Sequence, residues 1–148
     1  MPHFGLMEEK RLGPIAGPLQ RSKLHVRAGR RRLRQGKLSA GIVTLYDAFI
    51  AAMEWYAASP EGRKTLIVLP GENTRDEKTL YKVLTRSGVI DGRFDFKAFD
   101  LLTEKALTGE LPQYDYGPLV SQIESVLTQL GVLPLDEASL PPEDPATF

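Results

Sequence analysis

With 148 residues the chain is long enough for one domain with a substantial core and short for two. It is 42% hydrophobic and 26% charged, ordinary for a globular domain, and it has no cysteine, which excludes a disulfide framework, a thiolate zinc site and a cysteine nucleophile. The formal net charge is zero, but the charge is unevenly spread. Lys10, Arg11, Arg21, Lys23, Arg27, Arg30, Arg31, Arg32, Arg34 and Lys37 fall in an interval without an acid. After Lys105 there is no base, only Glu110, Asp115, Glu124, Asp136, Glu137, Glu143 and Asp144. The basic half can meet nucleic acid, the protein's own acidic half, or that of a second subunit.

In chain order, residues 1–18 carry Pro2, Gly5, Gly13, Pro14, Gly17 and Pro18, a density of breakers that predicts an irregular arm. Glu8 and Glu9 stand where an export signal would be apolar. Residues 19–35 read as a first helix with a thin apolar stripe of Leu24, Val26, Ala28 and Leu33, weakened by Gly29. Gly36 suits a left-handed C-terminal cap, so the first two helices form an antiparallel hairpin. Residues 38–59 are the organising element. Leu38, Ile42, Leu45, Phe49, Met53 and Tyr56 recur at spacings of three and four. Val43, Ile50, Ala51, Ala57 and Ala58 make much of the other side apolar too, which predicts a central helix wrapped by the others. Asp47 and Glu54 interrupt the run, so no membrane span is expected.

Ser59-Pro60-Glu61-Gly62 ends the central helix. Residues 65–70 are apolar and too few to separate a buried extended segment from a helical turn. A third helix starts near Asn73 or Thr74, with Thr74 and Glu77 at capping-box spacing and Leu80, Val83 and Leu84 inward. A fourth follows Asp95, with Phe96, Phe99, Leu102, Ala106 and Leu107 inward, and ends at Gly109. A fifth follows Asp115, with Pro118 in its first turn and Leu119, Ile123, Val126, Leu127 and Leu130 inward. The repeated pattern at Gly88 and Gly131, each followed by an apolar residue, reads as two Schellman-type ends. Residues 134–148, with four prolines and four acids, predict an extended, mobile tail. The expected fold is thus an all-α bundle of about five helices over 19–133, with an irregular N-terminal arm and an acidic Pro-rich tail.

Three sets of residues carry potential chemistry. Arg27, Arg30, Arg31, Arg32, Arg34 and Lys37 are candidates for phosphate contact, although three consecutive helical residues point three ways. Asp47 and Glu54 share a face two turns apart, and with His25 they form a candidate polar site. Two carboxylates can do acid–base work, but arginines on the hairpin partner, with Arg27, Arg30, Arg31 and Arg34 in reach, make a structural ion pair the stronger expectation. His25 lies among arginines, which disfavours its protonated form. No metal site or cofactor motif is read, and Tyr114 and Tyr116 read as packing at a helix entrance.

The stretch from Arg30-Arg31-Arg32-Leu33 through Gly36 to Tyr46-Asp47-Ala48 resembles the opening helical hairpin of HEPN domains. Those are small helical bundles, often dimeric, in which a glycine turn leads into a helix with a Tyr-x-Ala pattern. Many are RNases that use a closely spaced arginine and histidine on a late helix. This sequence has no histidine after His25, so no catalytic residue carries over. The resemblance implies a non-catalytic binding or dimerisation module, sometimes the partner of a nucleotidyltransferase or toxin–antitoxin protein; the absence of cysteine and of an export signal fits the cytoplasm, and a homodimer is expected. The alternatives are an RNA- or nucleotide-acting enzyme using His25 or Asp47 and Glu54, and a non-specific nucleic-acid binder using the basic segment 21–37.

Overall fold

A computed structural model describes residues 9–147. Among them the fold is an all-α bundle without strands: α1 (Glu9–Arg34), α2 (Leu38–Ala58), the short α3 (Pro60–Thr65), α4 (Glu77–Arg86), α5 (Phe96–Thr108) and α6 (Gly117–Leu130). The helix α2 touches every other one, as its all-round apolar surface requires. Ile42, Ala48, Phe49, Ala52 and Met53 are fully buried. Phe49 packs on Phe94, Phe96 and Phe99 with ring centroids 5.2–5.9 Å apart, and Tyr81 stacks on Phe96 at 5.2 Å. By length and composition α2 would qualify as a membrane span, but 67% of that stretch is buried inside the bundle.

The N-terminal arm is a correction. Residues 9–18 belong to α1, broken only at Gly13, where φ is +90°. Glycine alone adopts that angle without strain. Pro14 then restarts the helix at a position that needs no N–H, and Pro18 follows within the next turn. Breakers that read as an arm mark a kink and a fresh helix start. The remainder of the expected arm, residues 1–8, lies outside the described residues.

The hairpin turn matches expectation. Gly36 has φ +76°, and Lys37 N–H donates to the Arg32 carbonyl at 2.9 Å. The two helices then approach closely through small residues. A Cβ at Gly41 would lie 2.6 Å from Leu33 Cδ2, and one at Gly29 would lie 2.8 Å from Leu45. Gly29 is thus a packing requirement and not merely a weak point of the helix.

Elsewhere the starts shift. Asp76, and not Thr74, caps α4, its side chain accepting the Thr79 N–H at 2.9 Å. Asp95 caps α5 as expected, through Ala98 N–H at 3.0 Å. Asp115 accepts the Gly117 N–H at 2.9 Å, although the cap position before α6 is held by Tyr116. The α2 N-terminus has no cap from Lys37. Instead Glu110 accepts the Ser39 N–H at 3.0 Å, and Ser39 Oγ bonds both Gly109 and Leu111. A carboxylate there also suits the positive end of the helix. Both glycine ends are Schellman closures: Val89 N–H reaches the Leu84 carbonyl and Val132 N–H that of Leu127, at 3.1 and 2.9 Å. Leu107, expected inside, is exposed. Trp55 and Tyr56 are half-buried, with the Trp55 ring beside Gly131.

The acidic tail is a second correction. Leu140 is buried, a short 3₁₀ turn spans Glu137–Ser139, and Pro141 and Glu143 bond side chains of α1. The segment is docked on the bundle and not a free extension.

The close seam gives a direct test. Gly41→Val raises intrinsic helix propensity but forces β-branched bulk against Leu33. We expect the packing effect to win and stability to fall by about 1–3 kcal/mol in urea unfolding followed by circular dichroism. An unchanged or higher midpoint would mean the helices do not approach at Gly41.

Candidate functional site

Hairpin register decides where each charged side chain meets a partner. The helices run antiparallel about Gly36, so residues equally far before and after the turn lie opposite. Ser22 Oγ donates to the Ala48 carbonyl at 2.7 Å, and Asp47 accordingly faces Arg21 and His25. The expected ion pair between Asp47 and a first-helix arginine is present, but its partner is Arg21, one of the earlier arginines and not Arg27, Arg30, Arg31 or Arg34. Counting outward from the turn places Asp47 opposite His25, with Arg21 one helical turn further along the same face of α1.

Arg21 grips Asp47 through two parallel bonds, Nε to Oδ2 at 2.8 Å and Nη2 to Oδ1 at 2.5 Å. His25 Nδ1 lies 2.6 Å from Asp47 Oδ2. Burial alone would raise the carboxyl's pKa. The hydrogen bonds from His25 and Arg21, with their charges, outweigh it and hold Asp47 at about 2. The constellation is a clamp between α1 and α2: the Arg21 guanidinium and the His25 ring converge on one carboxylate.

Glu54 is not brought to this clamp. It is exposed and lines a cavity of about 590 Å³ with Met53, Arg63, Arg75 and Glu77 at the opposite flank of α2. The proposed polar site therefore divides, with His25 and Asp47 on the α1 side and Glu54 on the α4 side.

The basic segment is engaged by the rest of the chain. Arg30 pairs with Glu124 of α6, and Arg32 donates to Thr44 of α2. Arg31 and Arg27 both reach Glu143 in the tail, Arg27 Nε at 3.5 Å, and Arg27 also donates to the Pro141 carbonyl at 2.6 Å. Burial lowers the pKa of both; Glu137 pulls Arg27 back up, while Arg32, Arg27 and Arg34 push Arg31 further down. Arg34 and Lys37 are exposed. Arg34 lines a cavity of about 540 Å³ with Leu33, Leu38, Val120, Tyr114 and Tyr116.

Two features go beyond what was read from the sequence. The Tyr46 hydroxyl lies 2.6 Å from Glu77 Oε2 and 2.8 Å from Asp100 Oδ1, and burial together with these carboxylates drives its pKa upward. One proton serves two acceptors there, which fastens α2 to α4 and α5. The other is the segment 66–69, described below. Among the described residues no three histidine or carboxylate side chains cluster as a metal site.

Comparison with protein-family models, with curated proteins and with solved structures finds no match to this chain.

The clamp has a pH signature. A carboxyl whose folded pKa is depressed stabilises above its unfolded value and loses that contribution as pH falls through the folded one. Folding stability should therefore decline between pH 3.8 and about 2 by on the order of 2 kcal/mol from Asp47. Asp47→Ala should flatten that limb. It should also cost more alone than it adds to Arg21→Ala, with a coupling of about 0.5–3 kcal/mol in the double-mutant cycle. Additive effects would exclude the clamp.

Proposed function

We propose that this chain is a helical binding module that pairs with a second copy of itself through residues 66–69. The carrying observation is an apolar segment that is both exposed and fixed. Ile67, Val68 and Leu69 are 53%, 48% and 48% exposed, so the buried or helical alternatives for this stretch do not hold. Yet it is pinned to the end of α4. Ser87 Oγ accepts the Ile67 N–H at 2.8 Å and Arg86 donates to the Ile67 carbonyl at 2.9 Å. Glu72 accepts the Leu69 N–H at 2.8 Å and is itself gripped by Arg86 at 2.6 and 2.7 Å. The Arg86 hydrogen bonds hold the Glu72 carboxyl at about 2, so the staple persists through the neutral range.

Ile67 and Leu69 spend their backbone groups inward. Val68, between them, has no backbone hydrogen-bond partner among the described residues, and alternation in an extended chain places its N–H and C=O on the side opposite those of Ile67 and Leu69. Three consecutive exposed apolar side chains beside an open backbone edge are a contact surface. A two-fold axis at Val68 supplies each copy's missing donor and acceptor from the other, an isologous contact. Pro70 has no N–H and limits the pairing to this short edge. The resemblance to HEPN domains, which are often dimeric, supports the same reading.

Sedimentation analysis tests it. The protein should show a concentration-dependent dimer at tens of micromolar. Val68→Lys should give a monomer with an unchanged far-UV spectrum. A wild-type protein that is monomeric throughout, or a Val68→Lys protein that still dimerises, would overturn the reading.

A further inference from the structure

We infer that the face of α1 beneath the C-terminal segment is a nucleic-acid phosphate site, and that Glu143 occupies it as an intramolecular stand-in for a phosphate. Arg27 and Arg31 are one helical turn apart and therefore on one face of α1. Their guanidinium groups converge on the same carboxylate, that of Glu143. Both side chains are largely covered, 14% and 9% exposed, beneath the segment that supplies Glu143. They are shaped into a seat, not splayed in solvent.

The ligand class follows from the side chains. Every cation between residues 27 and 34 is arginine and none is lysine. A guanidinium fork matches two oxygens of a phosphate as well as it matches a carboxylate, and a phosphodiester carries the same single charge as Glu143. Arg34 and Lys37 continue the positive surface towards the hairpin turn and are exposed. A phosphate chain has repeated anions to follow this line, as the segment that now fills the seat brings Glu143 to both arginines and Glu137 near Arg27.

The occupant is also built to leave. Residues 134–147 contribute few apolar side chains to the packing, the buried Leu140 and the half-buried Leu135 among them. Beyond these the hold on α1 includes the Pro141 carbonyl and Glu143, of which the ion pairs weaken with salt and with competing anions. The segment thus competes directly with nucleic acid for Arg27 and Arg31. This inference does not depend on self-association through residues 66–69.

Fluorescence anisotropy with a labelled single-stranded RNA, using the full chain, tests it. Wild-type protein should bind weakly. Glu143→Gln and, separately, Leu140→Asp should each tighten binding at low salt on the order of tenfold. Each should also steepen the log–log salt slope by about 1.4, two phosphates at roughly 0.7 each. Adding Arg27→Gln and Arg31→Gln should abolish both gains, while Glu104→Gln, which removes an acid far from the seat, should produce neither. Circular dichroism confirms that each variant is folded. Unchanged affinity in both tail variants would overturn the inference. So would a gain that survives loss of Arg27 and Arg31, or release of a face that binds polyglutamate but not RNA.

Discussion

The cations of α1 and the carboxylates that receive them are what the rest of this structure depends on. Among the described residues, the backbone of α1 packs along that of α2 alone. Its attachment to the C-terminal half is made by long side chains: Arg30 to Glu124 on α6, and Arg27 and Arg31 to Glu143. Asp47 does the same work within the hairpin, drawing Arg21 and His25 onto α2. A covered arginine without a carboxylate would be strongly destabilising, because desolvation penalises its charge. The uneven charge of a neutral chain is thereby resolved inside one molecule. An interval of bases and a terminal stretch of acids close on each other, and the acidic segment is held down as a result.

Much of the scaffold is visible in the sequence because it rests on local rules. The i, i+3, i+4 spacing of Leu38, Ile42, Leu45, Phe49 and Met53 places α2 at the centre. Left-handed glycines mark the ends of α1, α4 and α6. What is not visible is what depends on distant partners. Residues 134–147 have the composition of a disordered tail, yet Leu140 and Glu143 find positions on a surface that exists only once α1 is folded. Pro14 and Pro18 read as breakers because breaking and starting a helix look alike until the kink at Gly13 is known. Leu107 falls at the right spacing to be inward, but α5 ends beyond the reach of a covering neighbour and leaves it in solvent.

The candidate site was legible in its residues and not in its grouping. Asp47, His25 and the arginines are all places where the fold uses charge. The register of the hairpin then separates Glu54 from Asp47 and selects Arg21 over the denser arginines near the turn. Residues 66–69 carried too little pattern for periodicity to decide. Their conformation is set by Ser87, Arg86 and Glu72, which are up to 20 residues distant in the chain. The result is a helical scaffold with two distinctive surfaces, a pinned and exposed apolar edge at Ile67–Leu69 and a pair of covered arginines beneath the C-terminal segment.

The most direct measurement of charge closure is solution NMR of the full chain at neutral pH and low salt. The Leu140 methyl and Pro141 resonances should show nuclear Overhauser contacts to Arg27 and Arg31, and these should fade as salt is raised while α2 remains folded. Narrow random-coil signals from residues 136–147, with no contact to α1 at any salt, would contradict it.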